Sequence, residues 1–184
     1  MKIKLFLILL NLGLYLSCSI NQHGENNQFQ RIEIDKKTIV DPWGKSIGDV
    51  NGDGLVDLLV GGNLSGGLVY YENPTWKKHV IAAAGEFSTD HEVGDINNDG
   101  KNDIISITRT QLIWYQNPSW SPLVIDDVKL HDIEIVDLDN DGDIDIVGRN
   151  QSAFADDGNV IHLHLQNSPR IGYTNKFNVL MEKD

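Results

Sequence analysis

The sequence predicts an all-β protein assembled from a repeated four-stranded unit, and three observations carry that prediction. Hardly any segment shows the 3.6-residue period of a helix, whereas short apolar or alternating runs bounded by Gly, Asn, Asp and Pro recur throughout. An acidic nonapeptide stands three times, at Asp49–Asp57, Asp95–Asp103 and Asp137–Asp145. The copies begin 46 and then 42 residues apart. A repeat of this length holding four strand-like runs reads as the blade of a propeller.

The elements follow in order. Phe29 to Val40 alternates and predicts a strand, and Asp41-Pro42-Trp43-Gly44 predicts a turn. After the first acidic loop, Leu55 to Val60 is an apolar run, and the cluster Gly61 to Gly67 predicts a turn. Leu68 to Glu72 predicts a strand closed by Asn73-Pro74, and Lys78 to Ala82 predicts another. The second unit repeats this: Glu92-Val93-Gly94 leads into the loop, Asp103 to Thr108 is apolar, Leu112 to Gln116 closes in Asn117-Pro118, and Leu123 to Asp126 follows. The third runs from Ile133 through its loop to Val147, then Val160 to Gln166, with a last strand within Ile171 to Leu180. Tyr70-Tyr71-Glu72-Asn73-Pro74-Thr75-Trp76 matches Trp114-Tyr115-Gln116-Asn117-Pro118-Ser119-Trp120 position by position. The two tryptophans are expected to pack between neighbouring sheets.

The formal net charge is −12, and the three loops hold eleven aspartates, so the acidity is concentrated there. This excludes the basic face that nucleic acid needs. Oxygen donors at loop positions 1, 3, 5 and 9 can converge on one hard cation, and glycine at position 6 permits the sharp turn between them. An EF-hand would need a carboxylate at position 12, where this chain has Val60, Ser106 and Gly148, and helical flanks. Without a cation, like charges crowded into one turn would repel.

Asp-x-Asp/Asn-x-Asp-Gly-x-x-Asp at blade spacing resembles the FG-GAP or VCBS repeat of integrin α-type propellers, over roughly residues 29 to 180. The resemblance implies three structural calcium ions. The first would be held by Asp49, Asn51, Asp53 and Asp57, the second by Asp95, Asn97, Asp99 and Asp103, and the third by Asp137, Asp139, Asp141 and Asp145, each with a backbone carbonyl at position 7. Propellers have four to eight blades. The three blades expected here are therefore expected to be part of a larger ring, about seven-bladed, or to close by self-association. The stretches around His131, YYENP and WYQNP also resemble a bacterial secreted subgroup of VCBS-repeat proteins, and some propellers of this kind belong to polysaccharide lyases and sugar dehydratases.

If each loop joins the first two strands of a blade, the other strand ends share the opposite face. Lys45, His91, His131, Asp132 and Arg149 are the candidate ligand-binding residues there, with Asn63, Arg109 and Asn150 from neighbouring turns. Such a face suits a glycan or protein ligand. The alternative is general acid/base chemistry through His91 or His131 in a carbohydrate-active enzyme. His79, His162 and His164 are expected to be surface or packing residues.

The N-terminus supplies a location. Lys2 and Lys4 precede an apolar run from Leu5 to Leu16 that is short for a bilayer span and has the form of a secretory signal. Tyr15-Leu16-Ser17-Cys18 resembles a lipobox with Tyr15 in place of an aliphatic residue. Cys18, the chain's single cysteine, is thus a candidate lipidation site, with an ordinary signal as the alternative. Residues 19–28 are polar and predict a flexible tether, leaving 29–184 as the repeat domain of a secreted or envelope-anchored protein.

Overall fold

The structure is a computed structural model and describes residues 29–36, 39–151, 160–166 and 178–179. The signal-like segment, Cys18 and the tether lie outside the described residues. The chain divides into Met1–Glu33 and Ile34–Asp184, and every strand belongs to the second unit.

Among the described residues, twelve strands form three antiparallel four-stranded sheets. The first holds β1 (Pro42–Gly48), β2 (Asp57–Gly62), β3 (Gly67–Glu72) and β4 (Lys77–Ala82) in sequence order. The second repeats the order with β5 (Phe87–Gly94), β6 (Asp103–Thr108), β7 (Leu112–Gln116) and β8 (Ser121–Asp126). The third is β9 (Asp132–Val136), β10 (Asp145–Arg149), β11 (Ile161–Leu165) and the two-residue β12 (Asn178–Val179). Each acidic nonapeptide joins the first and second strands of its sheet. Among the described residues this is an all-β set of propeller-like blades.

The cores explain the apolar runs. Val50, Leu59, Leu68, Tyr70 and Ile81 of the first sheet and its loop meet Phe87, Ile104, Ile113 and Tyr115 of the second. The second sheet's other face, with Ile105, Ile107, Leu112 and Trp114, meets Leu130, Ile133 and Ile146 of the third. A sheet covered on both sides favours apolar residues on both faces, hence Ile104, Ile105 and Ile107, with Ser106 paired to the buried His91. Each leucine- or isoleucine-sized side chain so buried contributes roughly 1.5–3 kcal/mol. Trp120 packs into the cluster between the first two sheets, as expected, whereas Trp76 lies against Val60, Val69 and Tyr71 on the first sheet's other face.

Two expectations need correction. Residues 29–36 form no strand. Phe29 and Ile32 are exposed, whereas Ile34, with Ile39 beyond it, lies against Val60, Val69 and Tyr71, and the Tyr71 hydroxyl donates to Asp35 at 2.7 Å. The expected turn at Asp41–Gly44 is instead the start of β1, with proline at the first strand position, where it forfeits no needed ladder bond.

Candidate metal loops and the opposite face

The three loops repeat one hydrogen-bond pattern. The position-1 carboxylate accepts the amides of positions 5 and 6: Asp53 and Gly54 give to Asp49 at 3.1 and 2.9 Å, Asp99 and Gly100 to Asp95 at 3.0 and 2.9 Å, and Asp141 and Gly142 to Asp137, both at 3.1 Å. The side-chain oxygen at position 3 (Asn51, Asn97 or Asp139) also accepts the position-5 amide. The position-5 side chain in turn accepts the amide of Leu55, Lys101 or Asp143. Such a turn requires left-handed backbone at position 6, and Gly54, Gly100 and Gly142 have φ of +86°, +84° and +93°.

Position 9 has a second task. Asp57, Asp103 and Asp145 are buried at the first residue of β2, β6 and β10. Each accepts the amide of the residue that follows the third strand: Asn73 at 2.9 Å, Asn117 at 2.8 Å and Gln166 at 3.0 Å. Asp57 and Asp145 also accept the position-2 amides of Val50 and Leu138. Burial raises the Asp103 carboxyl to about 6, with Asp99 and Asp95 adding to the rise against the bond from Asn117.

The oxygens fit a hard cation. Carboxylate oxygens of Asp137, Asp139 and Asp145 lie within 4.8 Å of one another. Asn51 and Asn97 offer amide oxygens where the third loop has Asp139, so all three donor sets consist of oxygen, as calcium prefers. The Asp139 carboxyl is raised by desolvation and by the charges of Asp141, Asp145 and Asp137. A bound cation would reverse that repulsion.

The loops also tie sheet to sheet. The Asn117 side-chain amide donates to Val50 O of the preceding loop at 3.1 Å and to Asn102 O of its own at 3.0 Å. Gln166 Nε2 gives the corresponding bond to Ile96 O at 3.0 Å. Asn102 Nδ2 donates to Asp49 O, and Asn98 Nδ2 reaches Gly142 O and Asp143 of the third loop. Sequence reading singled out the Asn-Pro turns without seeing that Asn117 reaches back one repeat, as Gln166 does after the third sheet's third strand.

Residues 49–106 match the family model of the FG-GAP-like repeat. Over that span the chain is similar to an FG-GAP-like repeat. The matched span runs from the first loop into β6, and the third sheet repeats its strand order and its loop pattern. No curated protein matches the chain.

The face opposite the loops is rearranged relative to expectation. His91 is no surface ligand: it is wholly buried on β5, its Nδ1 2.7 Å from Ser106 Oγ and its ring edge-on to Phe87. Gly44 and Gly61 leave the room for it, since a Cβ on either would fall within 2.5 Å of Nε2. Burial pushes its imidazole down to about 3, so it is neutral at ordinary pH. Expected at a strand end, His91 lies in the middle of β5, paired with Ser106, on the same side as Val93 and Phe87, which face the first sheet.

Lys45 is exposed on β1, in register with Val60. Gly44 and Gly48 face the second sheet, so Lys45 points to the first sheet's other side, away from His131. His131, Asp132 and Arg149 do come together. Arg149 Nη2 is 2.5 Å from Asp132 Oδ2, the His131 amide donates to Arg149 O, and Gln151 Nε2 is 3.4 Å from His131 Nδ1.

Asp90 and Glu92 on β5 lie beside Asp132 and Glu134 on β9. Asp90 accepts the Ile133 amide, and Thr89 Oγ1 donates to His131 O. Glu92 is pushed up to about 7 by burial, then by the charges of Asp90 and Glu134. Of the other histidines, His164 is buried against Asp126 at 3.0 Å, and His79 stacks on Tyr70 and meets Glu72 at 2.6 Å. Both are packing residues.

A hollow of about 300 Å³ opens at this face, lined by Trp43, Asn63, Ser88, Arg109, Thr110, Lys129, Leu130 and Asn150. Asn63, Arg109 and Asn150 were expected on this face. Trp43 and Lys129 were missed, the first because it was assigned to a turn.

Proposed function

We propose that the protein is a calcium-stabilised, extracytoplasmic binding module whose FG-GAP-like blades present ligand-contacting groups on the face opposite the loops. The observation that carries this reading is the recurrence of one oxygen-lined turn in all three loops, with the Asp137, Asp139 and Asp145 carboxylates converging. Asp49, Asn51, Asp53 and Asp57 would hold one ion, Asp95, Asn97, Asp99 and Asp103 a second, and Asp137, Asp139, Asp141 and Asp145 a third. When bound, calcium neutralises the loop charge and cross-links the first two strands of each sheet. The role is structural, because the motif is repeated once per blade rather than placed once in a cleft.

An extracytoplasmic location is supported by the signal-like N-terminal sequence and accords with calcium-dependent folding. The alternative of catalysis on the opposite face is weakened by the burial of His91, which removes one of its two imidazoles from reach of any ligand.

The test is thermal unfolding with calcium and with a chelator. Each ion bound only to the folded state stabilises by about 4 kcal/mol when free calcium is 1,000 times the dissociation constant. The melting temperature is therefore expected to fall by many degrees on chelation and to recover with calcium. An unchanged melting temperature overturns the proposal.

A further inference from the structure

The hollow on the opposite face has a composition at odds with the rest of the chain. Acidic residues outnumber basic ones 27 to 15 over the sequence, yet the lining holds two cations and no carboxylate. Arg109, Lys129, Ser88, Thr110 and the two asparagine amides all offer hydrogen-bond donors. The first sheet supplies Trp43 and Asn63, the second Ser88, Arg109 and Thr110, and the third sheet's flanking segments Lys129, Leu130 and Asn150.

Its polar groups are held in place. Asn63, almost wholly buried, receives Arg109 Nε and Nη2 on its Oδ1 at 3.3 and 3.1 Å. Its amide nitrogen is 3.3 Å from Asp41 Oδ2. Glu86 Oε2 lies 3.2 Å from Arg109 Nε. The guanidinium is thus oriented before any ligand arrives, with further N–H donors to spare.

Asn150 is 4 % exposed, and its Oδ1 accepts the Val160 amide at 2.7 Å. Among the described residues its Nδ2 meets no acceptor. A buried donor left in this state costs about 1–3 kcal/mol, which an acceptor seated in the hollow would relieve. Trp43, about half exposed, adds a broad apolar surface with one polar edge.

We propose that this hollow binds an anionic sugar, its carboxylate or sulfate group against Arg109 and Lys129, its hydroxyl oxygens on the asparagine amides and Ser88, and its ring face on Trp43. Donor-rich walls call for an acceptor-rich ligand, the two cations for a negative one, and the indole for one with an apolar face. A volume of about 300 Å³ suits a single sugar ring and lies at the small end of known ligand sites. The proposal deepens the binding-module reading and rests on it.

The experiment titrates the calcium-loaded protein with glucuronate, glucose 6-sulfate and glucose, followed by calorimetry and ligand-observed NMR. Saturable binding of either charged sugar, with glucose at least about tenfold weaker, is expected from charge-assisted hydrogen bonds. The two charged arms separate carboxylate from sulfate. Lys129→Gln and Asn150→Asp should each weaken binding about tenfold or more, the latter keeping the acceptor for Val160 while adding a repelling charge. Lys77→Gln, exposed on β4, should change nothing. Equal binding of glucose, binding of none of the three at tens of millimolar, or binding indifferent to both variants overturns the proposal. Because the loops are read separately by melting temperature, failure here leaves the calcium reading standing, and failure there is visible before any sugar is added.

Discussion

Acidification puts a cost on His91 that the fold has no means of avoiding. The imidazole is wholly buried, its Nδ1 faces Ser106 Oγ, and burial holds it at about 3 rather than 6.5. The unfolded chain therefore binds a proton that the folded chain refuses. The stability contribution of the neutral ring is fully present above pH 6.5 and is lost as pH falls toward 3. At pH 5 the difference amounts to about 2 kcal/mol, and below pH 3 it approaches about 5 kcal/mol.

Glu92 acts in the opposite sense. Its folded value of about 7 exceeds its ordinary 4.5, so the fold gains as pH drops through that interval. Comparing wild type with His91→Gln cancels this background. Denaturant unfolding at pH 7 and pH 5 should show wild type losing about 2 kcal/mol more than the variant between the two. His91→Gln will be less stable at pH 7 through imperfect packing, and the readout is the pH slope alone. Parallel pH profiles for the two proteins would refute a buried neutral His91.

Gly61→Ala places a methyl group 2.2 Å from His91 Nε2 and 2.8 Å from Phe87 Cβ. Overpacking of this kind costs about 1–3 kcal/mol, to be read by chemical denaturation, and a neutral result would mean that the two sheets are looser than described. Asn117→Ala frees the carbonyls of Val50 and Asn102 and should cost about 2–3 kcal/mol, against about 1 for Asn73→Ala, which loses only its bond to Val56 O. Equal losses would sink the inter-repeat tie. Asp145→Asn removes one charge from the third loop and keeps one of the two acceptor oxygens that serve Leu138 and Gln166. Calcium titration should then show one of three sites weakened at least tenfold, and an unaltered isotherm would remove Asp145 as a ligand.

Much of the fold was legible because the signals are local. Loop residues bond mainly to neighbours within the same nonapeptide, and glycine at position 6 announces its backbone conformation outright. The double-sided burial of the second sheet was likewise visible in Ile104 to Ile107. The opposite face was not legible, because membership there depends on which way a side chain leaves its strand. β5 begins at Phe87, so His91 is mid-strand and turns with Val93 toward the first sheet, and the same alternation sends Lys45 to the wrong side. Trp43 and Lys129 reach the hollow from a strand start and from the segment before β9, places with no motif to mark them. The alternating run at Phe29 to Val40 shows the converse failure: Ile34 and Ile39 pack on the first sheet without joining a ladder, and Phe29, Ile32 and Val40 stay exposed.

The backward reach of Asn117 and Gln166 gives the repeats a direction in time. A carbonyl in the first loop is met by a side chain that lies in the chain after β7, and one in the second loop by a side chain after β11. On a ribosome, each loop would emerge well before the residue that fastens it to its neighbour. A blade could form its own hairpins early, yet it would be locked only by the arrival of its successor, so order would advance along the nascent chain one repeat behind synthesis.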